Sequence, residues 1–181
     1  MTAEEARQTL AEADLICSAE DIQAAIGRIA GEVTARLERE HPLVLSAMVG
    51  ALYFAGQLLP RLRFPLECDY IHATRYRNTT QGHGIEWVIE PRTPVTGRSV
   101  LLLDDILDEG VTLLAMKERL LAQGAQECLT AVLTEKDLGH KKGIAADFVG
   151  VTLPNRYVFG CGMDVKGAWR NLPEVYAVKG L

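Results

Sequence analysis

The stretch Val100-Leu101-Leu102-Leu103-Asp104-Asp105-Ile106-Leu107-Asp108-Glu109-Gly110-Val111-Thr112-Leu113 decides how this chain is read. Its four leading aliphatics describe a strand buried on both faces, as in a parallel sheet. Two carboxylates stand where that strand is expected to end. A short turn with Gly110 and the Thr112 hydroxyl follows, and the run from Leu113 to Leu121 then reads as a helix. Strand, acidic pair, glycine turn and helix start together suit a phosphorylated sugar. N–H groups at a helix N-terminus bind phosphate, and the acids reach sugar hydroxyls or a metal. The competing reading of Asp104, Asp105 and Asp108 is a solvated, acidic strand end before a helix.

Around this stretch the chain has the make-up of one soluble domain. It has 181 residues, 48% hydrophobic and 24% charged, enough to build a core without staples. No apolar stretch reaches membrane-spanning length, and the start, Met-Thr-Ala-Glu-Glu-Ala-Arg, lacks the layout of a signal peptide. Cys17, Cys68, Cys128 and Cys161 are scattered, with no Cys-x-x-Cys pair, and read as reduced thiols of a cytoplasmic protein. A net charge of −5 argues against nonspecific nucleic-acid binding, which needs a basic face. A polyanionic substrate must then be held by local donors and metal.

Residues 3–14 and 19–40 read as helices, the second opened by a Ser18/Asp21 capping box. Ile22, Ile26, Ile29, Val33 and Leu37 give it one apolar face, and Pro42 ends it. Strands are expected at 43–48, 66–73, 85–90 and 128–133, with a helix over 52–59. The polar run from Thr74 to Gly84 reads as a mobile loop. Strands alternating with helices in this way indicate βαβ units and a parallel sheet.

The opening stretch resembles the phosphoribosyl-pyrophosphate (PRPP) signature of the type I phosphoribosyltransferases. That pattern is two acids, two aliphatics, an acid, then a phosphate loop with Gly and Thr. Glu109 stands where the family more often has a small hydroxyl residue; main-chain amides bind the phosphate in such loops, so its side chain is expected to turn outward. The resemblance extends further. Asp69-Tyr70-Ile71-x-x-x-x-Tyr76, Lys136, Asp147-Phe148-Val149-Gly150 and Tyr157-Val158-x-Gly160-x-x-x-Asp164-x-x-x-x-x-Arg170 are similar to the 6-oxopurine branch, the hypoxanthine-guanine salvage enzymes. These matches keep the family's order from residue 69 to 171.

The resemblance implies a single α/β domain with a parallel sheet of about five strands flanked by helices. The core would span about residues 40–150, with a small hood from about 151–181 and the N-terminal segment. It implies Mg²⁺, PRPP and a 6-oxopurine base as cofactor and substrates, no nucleic acid, no membrane, and a homodimer or homotetramer. Asp104 and Asp105 would bind the ribose hydroxyls directly or through Mg²⁺. Asp108 would relay the purine N7 proton. The loop of Asp108, Glu109, Gly110, Val111 and Thr112 would cradle the 5′-phosphate. Asp164 would hold a second Mg²⁺, and Arg170 would neutralise the leaving pyrophosphate. Met48, Val49 and Gly50 would offer it main-chain amides exposed by a cis peptide, although the family's basic residue is missing there. Tyr157 would stack on the purine, the Val158 backbone would meet its edge, and Lys136 would donate to the 6-oxo group. Arg75 and Tyr76 would begin a closing lid. Two alternatives stay open on the residues alone. One is the same reaction on xanthine or a pyrimidine. The other is a non-catalytic nucleotide-sensing or RNA-binding regulator of this fold, favoured by Glu109 and Met48 and opposed by Asp108 and the acidic charge.

Overall fold

The computed structural model describes residues 1–75 and 84–180. The chain opens with α1 (Ala3–Glu12), β1 (Asp14–Cys17) and α2 (Ala19–Leu37). β2 (Leu43–Ala47) leads into α3 (Leu52–Leu58) and a 3-10 turn, Leu59–Arg61. β3 (Glu67–Arg75), β4 (Ile85–Ile89) and β5 (Ser99–Leu107) precede α4 (Val111–Ala122). β6 (Glu127–Asp137), β7 (Phe148–Pro154), β8 (Val158–Phe159) and β9 (Val175–Ala177) complete it.

The aliphatic runs need cover on both faces, and the six-stranded sheet in the order β4-β3-β2-β5-β6-β7 provides it. β2 and the first half of β5 are buried throughout and form its centre. The expected parallel sheet of about five strands is present with five, β3, β2, β5, β6 and β7, although the sequence reading places no strand where β7 lies. β4 adds an antiparallel edge beside β3. α2 and α3 pack together on the sheet, and α4 packs across β3, β5 and β6. The predicted apolar face of α2 is its buried face, with Ile22, Ile26, Ile29, Val33 and Leu37 inaccessible to solvent. Ser18 and Asp21 form the expected capping box.

Three expectations need correction. β5 does not stop at the acidic pair but runs through it to Leu107. β6 lies alongside for that whole length, pairing Asp104 with Val132, Ile106 with Thr134 and Leu107 with Glu135. Ladder bonds therefore hold residues whose polarity alone suggested an end. The second correction concerns the N-terminus, where the first helix ends at Glu12 and residues 14–17 form β1 instead. β1, β9 and β8 make a small antiparallel sheet drawn from both ends of the chain. Arg156 fastens it through a 2.7 Å ion pair to Asp14. The third is that α2 ends at Leu37, before residue 40, in a turn ahead of Pro42.

Candidate active site

The carboxyl ends of the parallel strands face one crevice, where open α/β sheets place their ligands. A cleft of about 730 Å³ lies there, lined by Asp104, Asp105, Asp108, Gly110, Thr112 and Arg170, with Ala73, Thr74, Ile106 and Leu113 between them. A recess of about 200 Å³ shares Asp105, Ile106, Asp108 and Arg170 with it and adds Lys136, Tyr157, Val158, Met163 and Asp164. Two joined spaces are thus built from residues spread over more than sixty positions.

The turn between β5 and α4 is shaped by Gly110, whose φ of 80° is left-handed and suits glycine. A Cβ there would stand 2.7 Å from the Ile144 side chain. As the N-cap of α4, Gly110 provides no side-chain bond to the helix. The first helical bond runs from the Leu114 N–H to the Gly110 carbonyl, 2.9 Å, so the preceding amides remain for an anion. Glu109 is exposed, with its carboxylate 3.6 Å from His140 Nε2, and it does not line the cleft. It turns outward as expected.

Asp105 is wedged between two loops. A Cβ on Gly50 would fall 2.2 Å from its carboxylate, and a Cβ on Gly162 would fall 2.0 Å from the Gly50 carbonyl. The buried Thr134 hydroxyl donates to the Asp105 carbonyl at 2.9 Å. Burial pushes the Asp104 carboxyl well above the ordinary range, and the adjacent Asp105 charge pushes it further. Burial also raises Asp105, offset in part by its hydrogen bond with Asp104 and by the Arg170 charge. Both carboxyls are therefore held above the ordinary carboxylate range, Asp104 the more strongly.

These contacts give two expectations. Gly162 has a φ of 105° and no room for a methyl. Gly162→Ala should destabilise by more than about 1 kcal/mol, lowering Tm by at least ~2–4 °C in a calorimetric scan. An unchanged melt would show that the loop yields freely. For Asp104 the folded pKa lies above the unfolded one. Its contribution is therefore fully present below the ordinary carboxylate range and is lost as pH rises through the raised value. Asp104→Asn in chelator-treated buffer should melt about 2–4 °C above the parent at pH 8, with the gap closing near pH 4. A gap constant across pH would remove the titration from the explanation.

Arg170 donates to the Gly162 carbonyl at 2.6 Å and pairs with Asp164. Asp164 also accepts from the Gly167 N–H at 2.7 Å. Lys136 Nζ lies 3.0 Å from Asp108 Oδ2, the ammonium 12% exposed and the carboxylate 46%. Tyr157 is exposed at the recess, its hydroxyl 3.5 Å from the Asp164 carbonyl, while Val158 is buried. Met48–Val49 is a cis peptide, as the resemblance implied. Met48, Val49 and Gly50 do not line either space, although Gly50 abuts Asp105. Tyr76 lies outside the described residues, and Arg75 is the last residue of β3.

Among the described residues, no group of three or more His, Cys, Asp or Glu side chains is placed to hold a metal. The donor set fits a hard divalent cation only in a particular way. One or two carboxylates here leave the other positions for substrate oxygens or water, which is the pattern Mg²⁺ prefers. Sequence reasoning missed Ile106, which lines both spaces. The alternation of side chains along a strand running to Leu107 would have placed it between Asp104 and Asp108.

A family model for the phosphoribosyl transferase domain matches residues 16–166. The chain is 32% identical over 166 residues to the hypoxanthine-guanine phosphoribosyltransferase of Bacillus subtilis, covering 91% of this chain and 92% of that protein. It is 34% identical over 151 residues to the enzyme of the same name from Lactococcus lactis, covering 82% of each. A solved hypoxanthine-guanine-xanthine phosphoribosyltransferase superposes with a TM-score of 0.80 at 30% identity, covering 92% of this chain and 94% of the other.

Proposed function

The chain belongs to the phosphoribosyl transferase domain family, and on that premise we propose that it is a purine-salvage enzyme. It transfers the phosphoribosyl group of PRPP to hypoxanthine or guanine, giving IMP or GMP and pyrophosphate. The observation that carries this reading is the junction of the two spaces. One has an anion-binding helix start and paired carboxylates; the other has an ammonium and an exposed aromatic, and Asp108 belongs to both.

In this reading the Gly110 turn and the Thr112 hydroxyl hold the 5′-phosphate, while Asp104 and Asp105 hold the ribose hydroxyls. Tyr157 stacks on the purine, the Val158 backbone meets its edge, and Lys136 donates to the 6-oxo group. The purine N9 forms a bond to ribose C1′, and the C1′–O bond breaks with its electron pair leaving on pyrophosphate. Asp108 takes the N7 proton, after exchanging its partner Lys136 for the base. Arg170 neutralises the departing charge; the turn from Met48 to Gly50 lines neither space, and its Met48 N–H is already given to the Ile71 carbonyl. Mg²⁺, held by Asp104 or Asp105 and by Asp164, would supply charge neutralisation at the pyrophosphate when bound. Most of the rate would come from positioning and preorganised charge.

We assign the six-stranded sheet, which runs to Pro154 and so past the expected boundary at 150, to the core, and the chain after it with β1 to a hood over the strand ends, in a cytoplasmic homodimer or homotetramer. The solved relative named for xanthine as well supports a second acceptor, xanthine, in the same pocket. Incubating the protein with PRPP, Mg²⁺ and each base, and following nucleotide and pyrophosphate, tests the assignment. Failure to form either product with hypoxanthine and guanine would end it in favour of a non-catalytic regulator.

A further inference from the structure

Lys142 lies in the connection between β6 and β7 and takes no part in the reading above. Its side chain is only 7% exposed. Its Nζ donates to the Leu107 carbonyl at 3.0 Å, the Lys136 carbonyl at 2.5 Å and the Glu135 carboxylate at 3.1 Å. An ammonium has three donors and no acceptor, so every donor is used.

The choice of partners matters more than their number. Leu107 is the residue before Asp108, and the second carbonyl belongs to Lys136 itself. The parallel pairing of β5 with β6 ends at Leu107 opposite Glu135. Ladder bonds therefore stop just where the side chains of Asp108 and Lys136 leave the backbone. β7 still supports β6 as far as Asp137, but β5 has no pairing beyond Leu107 on that side. The buried ammonium joins the two strand ends at this point.

We propose that Lys142 is a positioning residue for base selection. By tying the backbone before Asp108 to that of Lys136, it fixes the spacing and direction of the carboxylate and ammonium that face the purine. The inference rests on the reading of Asp108 and Lys136 as the base-recognising pair. A residue that only stabilises the fold would lower Tm and affect both substrates alike. A positioning residue would affect the base and spare PRPP.

Steady-state kinetics of Lys142→Met, Lys142→Arg and Lys136→Met, each with both substrates varied, test it. In Lys142→Met the KM for hypoxanthine and guanine should rise about tenfold, because a charged clamp is lost from a site sensitive to small displacements. The KM for PRPP should stay within about twofold, since the phosphate loop and acidic pair are untouched. Lys142→Arg, which keeps the donors, should recover most of the base affinity. Equal rises for both substrates, or a lower Tm with unchanged base KM, would overturn the role. If Lys136→Met weakens base binding and Lys142→Met does not, the positioning role alone fails. If Lys136→Met leaves base binding intact, the recognition reading fails and the inference falls with it. Should Lys142→Met not fold, Glu135→Gln carries the test by weakening the clamp's charged partner. A rise of about threefold in base KM without one for PRPP is then expected, and no split overturns the proposal.

Discussion

Hypoxanthine and guanine are expected to be turned over while adenine is essentially inert, with a gap of ~10⁴–10⁵ in kcat/KM. The hydrogen-bonding capacity of Lys136 sets this gap. An ammonium donates three bonds and accepts none. Against a 6-oxo group it completes a charge-assisted bond; against the 6-amino group of adenine, donor meets donor. Solvent offers little relief, because the Lys136 side chain is only 12% exposed. Its other partner is the Asp108 carboxylate at 3.0 Å, the group we propose takes the purine proton. A site built around such a bond rejects the wrong partner by leaving its own polar group unpaired. Lys136→Ala should shrink the gap chiefly by losing the oxopurines, and comparing kcat/KM for the three bases in both proteins measures it. Efficient use of adenine by the parent protein would sink both the role of Lys136 and the 6-oxopurine assignment.

The same residue shows where the sequence was legible and where it was not. Val100 to Leu103 and the helix after Gly110 were readable because an unbroken aliphatic run and a helical period have few other solutions. The acids of the signature were readable by type and spacing. Their continuation as strand was not, since Asp104 and Asp105 look like an end until β6 is seen to pair beside them. That pairing also brings Asp108 and Lys136, 28 positions apart, to the same level. Single-chain periodicity carries no information about register between strands.

Other matches had a structural meaning that residue type concealed. Asp69 accepts from the Tyr70, Arg92 and Thr93 amides at 2.8 Å each, holding the turn after β4. Asp147 binds the Thr130 hydroxyl at 2.9 Å, and a Cβ on Gly150 would fall 2.1 Å from the Leu133 carbonyl. Both motifs resembled the family because they build the sheet that carries the site. β1, β8 and β9 were missed for a different reason: strands of two to four residues are too short for a period to show. Lys142 escaped notice because a lysine among charged neighbours reads as surface. Only its three acceptors reveal it as buried.

Asp108→Asn is expected to lower kcat by ~10²–10⁴, the usual worth of general acid–base catalysis, with little change in the KM for PRPP. The substitution keeps the shape of the side chain and an oxygen that can accept from Lys136, so the recess should hold its form. What it removes is the ability to take the N7 proton as N9 bonds to C1′. Asp108 suits that duty by position, since it borders both spaces, and by access, since its carboxylate is 46% exposed and can exchange partners. Asp105 is the informative contrast. It borders both spaces as well but is buried between Gly50 and Gly162 and lacks the access of Asp108, so Asp105→Asn should weaken PRPP binding and its Mg²⁺ dependence more than the chemical step. Single-turnover measurements on the two variants separate the effects, because they resolve binding from bond making. An unchanged rate of bond making in Asp108→Asn would take Asp108 out of the mechanism. The N7 proton would then have to leave to water, in a recess where Lys136 needs another explanation for its carboxylate partner.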